Sequence, residues 1–328
     1  MKPKILITGL APQAAIDMLR QAGEVELNPD PEHPWSRKEL LERVARNDFL
    51  YTNPGNRIDA EFMDANPKIK VIAQMAVGYD NIDIPAATAR GIPVTHTPGV
   101  LTETTADAAW VLMMSVARRI VEADRFMRSE KATEWKPNRF MGSDIHGKTL
   151  GIIGFGRIGK AMARRARGFD MNVIYYDAIK ASPTEEDALA ATFRPFDDLL
   201  READFVTIHT LYSPSTHHLI DERALSLMKR SAFLVNAARG PIVDEKALVR
   251  ALQSGQIAGA ALDVFEQEPL VEPELRNMEN VVLVPHIGSA TPETRQATGV
   301  LAAQNLIAVI EGRRPPNLIN PQVWPKVD

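Results

Sequence analysis

The sequence predicts an α/β protein built from two domains with parallel sheets. Three observations carry that expectation. Short apolar runs alternate with helix-like stretches through both halves of the chain, a glycine-rich turn stands between a strand-like run and a helix-like stretch near the middle, and 328 residues are more than one core normally holds. Strands joined through helices re-enter the sheet in the same direction, so the alternation means parallel pairing.

Ile5-Leu6-Ile7-Thr8 reads as the first strand and precedes a helix around Pro12 to Ala22. Phe49-Leu50-Tyr51-Thr52 ends at the turn Asn53-Pro54-Gly55, Val71-Ile72-Ala73-Gln74 ends near Gly78, and Ile92-Pro93-Val94-Thr95 follows. This series closes at Thr97-Pro98-Gly99, a natural hinge, after which one long helix is expected from about Thr102 to Ser129. A polar, proline-containing stretch, Lys131 to Ile145, leads into the strand Thr149 to Ile153 and the glycine turn. Later strands are expected at Asn172 to Tyr176, Phe205 to His209, Phe233 to Asn236, Gly259 to Asp263 and Val281 to Pro285. A helix over roughly Pro292 to Gly312 and a proline-rich tail complete the pattern.

The turn is Gly154-Phe155-Gly156-Arg157-Ile158-Gly159, directly behind an apolar strand and at the head of a helix-like stretch, Lys160 to Arg167. Gly154 permits the tight strand-to-helix turn, Gly156 lets the backbone approach a pyrophosphate, and Gly159 lets helix pack on strand. The pyrophosphate would sit on unpaired N–H groups at the positive end of the helix. The next strand stops at Asp177, 18 residues past Gly159, where a carboxylate can take both ribose hydroxyls of a dinucleotide. Such a carboxylate accepts from a free 2′-OH and repels a 2′-phosphate, and no arginine follows in Asp177-Ala178-Ile179-Lys180. NAD(H) is therefore expected over NADP(H), with Lys180 the one side chain placed to reach a phosphate.

Composition removes several alternatives. With 38 basic against 42 acidic residues and no basic block, nucleic-acid binding and attachment to anionic membranes are poorly supported. No cysteine means no disulfide, thiolate nucleophile or cysteine-ligated metal, and the seven histidines show no metal-ligand spacing. The opening residues are too short an apolar run for a signal-peptide core and no run approaches a membrane span, so a cytoplasmic setting is expected.

Polar residues gather where the predicted strands end: Asp177, His209, Arg239, Asp263 and His286. Ligands of parallel sheets bind at those carboxyl ends. Val235-Asn236-Ala237-Ala238-Arg239-Gly240 sets an arginine in a tight turn, Asp263-Val264-Phe265-Glu266-Gln267-Glu268-Pro269 sets out carboxylates, and Pro285-His286-Ile287-Gly288-Ser289 sets out an imidazole. Interconverting a 2-hydroxy acid and its 2-oxo form needs a carboxylate anchor, a group that handles the proton at the C2 oxygen, and an orienter for it. Arginine offers the planar fork. Histidine titrates near working pH, and a carboxylate beside it holds the ring and favours the imidazolium.

These segments, together with the stretches Ala76 to Asp83 and Thr97 to Asp107, resemble the D-isomer-specific 2-hydroxyacid dehydrogenases over nearly the whole chain, most of all their glyoxylate/hydroxypyruvate reductase branch. The resemblance implies Rossmann-like and flavodoxin-like domains, a substrate domain of residues 1–98 and 290–328, and a cofactor domain of residues 99–289 inserted into it. It implies Arg239, Glu268 and His286 as the catalytic set, with His286 the proton donor, and Val77, Gly78, Arg239 and His286 around a small 2-oxo acid of the glyoxylate, hydroxypyruvate or 2-ketogluconate type. Around the cofactor it implies Thr105 near the phosphates, Arg157 and Ile158 over the pyrophosphate, Thr210 near the adenosine, Asp263 at the nicotinamide carboxamide, and Ala237, Arg239, His286 and Gly288 beside it. It further implies a homodimer formed through the long helix and arm over Thr102 to Gly142, with Trp135 and Phe140 candidates to reach the partner's site, and substrate side chains meeting the loop Thr52 to Arg57.

Relatives of the same fold set the alternatives. Formate dehydrogenases resemble the chain but carry a glutamine where Glu268 stands, whereas phosphite dehydrogenases keep an Arg/Glu/His set. Corepressors of this fold bind NADH and recruit peptides, and normally carry extra disordered tails and a peptide groove; phosphoglycerate dehydrogenases often add a C-terminal regulatory domain; neither the tails nor that domain is expected here.

Overall fold

The computed structural model describes residues 2–30, 32–129 and 132–325. Lys131, where the polar stretch was expected to begin, lies outside them. The chain forms two compact units, Met1–Leu101 with Ala290–Asp328, and Thr102–Ser289.

Among the described residues the first unit holds β1 (Lys4–Ile7), β2 (Glu24–Leu27), β3 (Phe49–Thr52), β4 (Val71–Gln74) and β5 (Val94–Thr95), in the order β2-β1-β3-β4-β5 and all parallel. That is the flavodoxin-like order. Successive side chains leave a strand on opposite faces, so Ile5, Ile7, Tyr51, Val71 and Ala73 pack under the helices Gln13–Ala22 and Pro292–Ile310. Leu6, Leu50 and Ile72 pack on the other face against Leu40, Val44, Phe62 and Met63. β2 was not expected: it is an edge strand reading Glu24-Val25-Glu26-Leu27, half exposed and too rich in charge to show as an apolar run.

The C-terminal return closes the opposite edge. Leu318 bridges antiparallel to Thr95, Ile319 N–H donates to the Val94 carbonyl, and the Asn320 side chain, 1% exposed, accepts from Val94 N–H (2.8 Å) and donates to the Ile92 carbonyl (2.9 Å). Asn320→Ala strands those two backbone groups in a dry interior. A loss of about 1–3 kcal/mol in urea unfolding is expected, and a change below the error of that measurement would show that water replaces the amide.

The second unit holds β6 (Thr149–Ile153), β7 (Asn172–Tyr176), β8 (Ala191–Phe193), β9 (Phe205–Ile208), β10 (Phe233–Asn236), β11 (Gly259–Leu262) and β12 (Val281–Leu283), parallel and ordered β12-β11-β10-β9-β6-β7-β8. The order reverses between β6 and β9, the Rossmann switch point where dinucleotides bind. Leu150, Ile152, Val173, Tyr175, Phe205 and Val235 pack toward one face, and Ile153, Ile174, Val206, Ile208 and Leu234 toward the other.

The long helix expected from Thr102 to Ser129 is two helices, Thr102–Ala117 and Ile120–Met127. Arg119 between them takes a left-handed conformation (φ 53°), and its guanidinium pairs bidentately with Glu122. The break has a distant cause: Ser143 N–H takes the Ala117 carbonyl at 2.8 Å, and a Cβ on Gly142 would meet that oxygen at 2.4 Å. The returning chain thus occupies the space in which the helix would have continued.

Candidate active site

The glycine turn follows β6 directly. Gly154 has φ 93°, and a Cβ there would stand 2.4 Å from Thr210 N and 2.5 Å from the His209 carbonyl carbon, so only glycine lets the ends of β6 and β9 approach this closely. Gly156 caps the helix Arg157–Ala166 without any side-chain hydrogen bond, and the space a Cβ would fill beside it is open. An uncapped helix start with open space in front suits a pyrophosphate. Gly159 is buried, and a Cβ on it would meet the Gly154 carbonyl oxygen at 2.1 Å. Arg157 is exposed and Ile158 half-buried at the head of this helix, and Thr105 is buried on the Thr102–Ala117 helix.

Asp177 stands at the end of β7. Its Oδ2 accepts from Phe155 N–H (2.7 Å) and its Oδ1 from Ile179 N–H (3.0 Å), which ties the carboxylate to the glycine turn itself. Lys180 is exposed and leans over the Phe193 ring. His209, after β9, was expected among the strand-end polar groups; its Nε2 meets Thr207 Oγ1 at 2.8 Å, and burial pushes its imidazole down to about 3, so the ring is neutral.

Beyond β10, β11 and β12 the other candidates come together within this unit. Asn236 shapes the arginine turn: its Oδ1 accepts from Ala238 N–H (3.1 Å) and its Nδ2 donates to the Arg239 carbonyl (2.9 Å). Ala237 is buried in the same turn. Gly240 then packs so tightly on the Phe265–Glu266 peptide that a Cβ would fall 1.8 Å from the Phe265 carbonyl carbon. Hence the turn carrying Arg239 and the segment carrying Glu268 are seated backbone to backbone.

His286 Nδ1 meets Glu268 Oε2 at 2.9 Å, and Glu268 Oε1 accepts from Phe265 N–H (3.0 Å). Burial works to raise the Glu268 carboxyl, but the His286 hydrogen bond and charge, the Phe265 N–H and the Arg239 charge prevail and hold it below the ordinary carboxylate range. His286 itself has φ 53°, a conformation rare outside glycine and asparagine. Asp263 holds it there. The Asp263 carbonyl accepts from His286 N–H (2.8 Å), and its carboxylate, 1% exposed, accepts from Ile287 N–H (2.6 Å) and Gly288 N–H (2.8 Å). Burial raises this carboxyl against those two N–H bonds. Both Asp263 oxygens are thus engaged in the histidine turn.

In the first unit, Val77 and Gly78 follow β4. His96 Nδ1 meets the Val77 carbonyl at 3.0 Å, and Gln74 Nε2 donates to the Gly78 carbonyl (3.1 Å) and to Asn81 Oδ1 (2.7 Å). In a planar trans peptide the N–H points opposite to the carbonyl, so with the Val77 oxygen held by His96, Gly78 N–H points away from that ring.

Some features were not visible in the sequence. Glu266, another carboxylate close to Glu268, pairs with His218, Oε1 to Nε2 at 2.8 Å. Glu245 is 5% exposed and accepts from Glu266 N–H at 2.6 Å. No spacing announces these contacts, since the partners lie 48 and 21 residues apart in sequence. On the arm, Phe140 packs edge-on against Phe126 (5.3 Å), while Trp135 is 85% exposed.

Comparison with known proteins places this geometry. The model of the D-isomer specific 2-hydroxyacid dehydrogenase, NAD binding domain, matches residues 110–288. The chain is 51% identical over 327 residues to the glyoxylate reductase of Thermococcus onnurineus (strain NA1), covering 98% of this chain and 97% of that protein. A crystal structure of a glyoxylate reductase from Paecilomyes thermophila superposes with a TM-score of 0.88 at 36% identity, over 98% of this chain and 100% of the other. The NADPH-dependent glyoxylate/hydroxypyruvate reductase of Sinorhizobium meliloti, solved with NADP and malonate, gives 0.86 at 31% identity over 100% of both chains. With the family's domain model spanning more than half the residues and relatives this similar over nearly all of them, the chain belongs to the D-isomer specific 2-hydroxyacid dehydrogenase family, in its glyoxylate reductase branch.

Proposed function

We propose that the protein is an NAD(H)-dependent reductase of small 2-oxo acids of the glyoxylate, hydroxypyruvate or 2-ketogluconate type, forming the D-2-hydroxy acid with His286 as proton donor. The observation that carries this reading is the Glu268–His286 hydrogen bond of 2.9 Å to Nδ1, which leaves Nε2 as the ring's donor. The bound nicotinamide supplies the hydride. The chain's own residues do the rest. Arg239 anchors the substrate carboxylate and polarises the carbonyl, the backbone amides around Val77 and Gly78 hold the carboxylate, and Glu268, its carboxyl held below the ordinary range, favours the imidazolium that gives its proton to the C2 oxygen. Residues 102–289 serve as the cofactor domain, with Thr105, Gly154, Gly156, Arg157, Ile158, Gly159, Asp177, Thr210, Ala237, Asp263 and Gly288 around the dinucleotide, and the other unit serves as the substrate domain.

The exposed apolar side chains Val111, Ile120, Met127, Trp135 and Met141 support a homodimer through this region. No helix among the described residues is long and apolar enough to cross a membrane; a cytoplasmic setting belongs to the same proposal.

Mixing the protein with NADH and each of the three 2-oxo acids and following nicotinamide absorbance tests the reading. Turnover with at least one is expected. NADH binding without turnover of any would instead make the protein a nicotinamide-sensing member of the fold.

Cofactor preference has its own test. Two backbone N–H groups fix the Asp177 carboxylate, so it cannot swing away from a 2′-phosphate. Like charges about 4 Å apart near a protein surface repel by about 1–4 kcal/mol. NADH should therefore exceed NADPH in kcat/KM, and Asp177→Ser should narrow the ratio by on the order of tenfold. A wild-type preference for NADPH would overturn the assignment and point to Lys180.

A further inference from the structure

Glu245, Glu266 and Glu268 lie on or against the loop that follows β11, and the acid/base chemistry above uses one of them. Glu268 pairs with His286. Glu266 and Glu245 have no part in the proposed chemistry, yet Glu245 is built into the structure at a cost, because a carboxylate in a dry interior is retained only where hydrogen bonds compensate it. Glu245 is 5% exposed. Burial raises its carboxyl, two backbone N–H groups, those of Glu266 and Glu272, lower it, and the charges of Glu266 and Glu272 raise it further. Of these, Glu266 N–H donates to Glu245 Oε1 at 2.6 Å, two residues before Glu268. One side chain thus holds the loop just ahead of the residue that orients the imidazole.

The grip reaches the substrate anchor as well. Glu245 opens the helix Glu245–Gln253, whose preceding residues 239–243 form the arginine turn. Glu266 returns the contact: its carboxylate accepts from Glu245 N–H at the helix start (3.4 Å) and from His218 (2.8 Å), while His218 N–H donates to the Pro241 carbonyl (2.9 Å) inside the arginine turn. The turn carrying Arg239 and the loop carrying Glu268 are therefore joined by two reciprocal ties besides the Gly240 contact.

We propose that Glu245, seconded by the Glu266–His218 pair, is a positioning residue that fixes the Glu268 loop against the Arg239 turn and so sets the imidazole–carboxylate contact. This rests on the reading of Glu268 and His286 as the acid/base pair. Its action is through hydrogen-bond acceptance, since what it offers the loop is an oxygen that takes Glu266 N–H at 2.6 Å. A neutral glutamine, which keeps an acceptor oxygen in the same place, should therefore replace it.

The test compares Glu245→Ala, Glu245→Gln and Glu268→Gln. It follows the pH titration of the His286 imidazole by NMR in the ligand-free protein, together with NADH affinity and steady-state kinetics. In Glu245→Ala the imidazole midpoint should move to lower pH, as in Glu268→Gln, and kcat should fall by about tenfold or more, the scale of a misplaced catalytic group. NADH affinity should stay within about twofold. Glu245→Gln should restore midpoint and kcat. A Glu245→Ala protein with the wild-type midpoint, or a Glu245→Gln protein as impaired as the alanine variant, overturns the proposal. Should Glu245→Ala fail to fold, His218→Ala at the half-exposed end of the network decides: a midpoint moved to lower pH supports it, and an unchanged one overturns it. If Glu268→Gln leaves the midpoint in place, the acid/base reading fails and the positioning role falls with it; if only Glu245→Ala does so, the positioning role alone is lost.

Discussion

His286→Asn should lower kcat for reduction about a hundredfold or more, the usual scale for a lost general acid, while NADH still binds. Asparagine offers a hydrogen bond and no titratable proton. The imidazole stands on a strained left-handed residue that Asp263 holds through three hydrogen bonds, so the replacement, one of the few side chains at ease at that φ, should keep the turn intact. Glu268→Gln should act more gently. Removing the negative charge disfavours the imidazolium, so the proton donor is lost at lower pH and the high-pH limb of the reduction profile moves down in pH, with NADH affinity unchanged. A limb that stays in place or moves up would separate Glu268 from His286; Glu266, turned to His218, would then be a poor substitute.

Arg239→Lys should cost on the order of 2 kcal/mol or more in kcat/KM for the 2-oxo acid, about thirtyfold. The charge survives but the fork does not. The turn backbone is held by Asn236 and by the Gly240 contact, and the one bond the guanidinium makes to it, Nη1 to the Ala238 carbonyl at 2.8 Å, is one an ammonium can also donate, so NADH affinity and thermal midpoint should remain near wild type. Unchanged kinetics in a folded Arg239→Lys protein would assign the arginine to the architecture alone.

Much of this was legible in the sequence, and the reason is local. Gly154 and Gly159 mark a turn with no room for a Cβ, Gly156 leaves open space at the helix start, and the strand-end residues Asp177, Arg239, Asp263 and His286 follow apolar runs that any parallel sheet must bury. What escaped depends on chain returning from far away. The break after Ala117 is caused by Gly142 and Ser143, the grip of Glu245 by a loop 21 residues on, and the edge strands β2 and β8 are too short or too charged to announce themselves. Asp244-Glu245 in sequence is an ordinary helix start, and only the tertiary structure shows the glutamate turned inward.

The order in which a ribosome delivers the chain gives the split first unit a further consequence. Ile5, Ile7, Leu19, Tyr51, Val71 and Ala73 are synthesised early, but Ala302, Ala303 and Leu306, which complete their layer, follow only after residues 102–289. The inserted unit is continuous and can fold as soon as it emerges, whereas the N-terminal sheet waits with one apolar face uncovered. During that interval the uncovered apolar face is the part of the nascent chain most open to aggregation. Release of the C-terminal helix from the ribosome, not formation of the nucleotide fold, is then the event that ends the vulnerability.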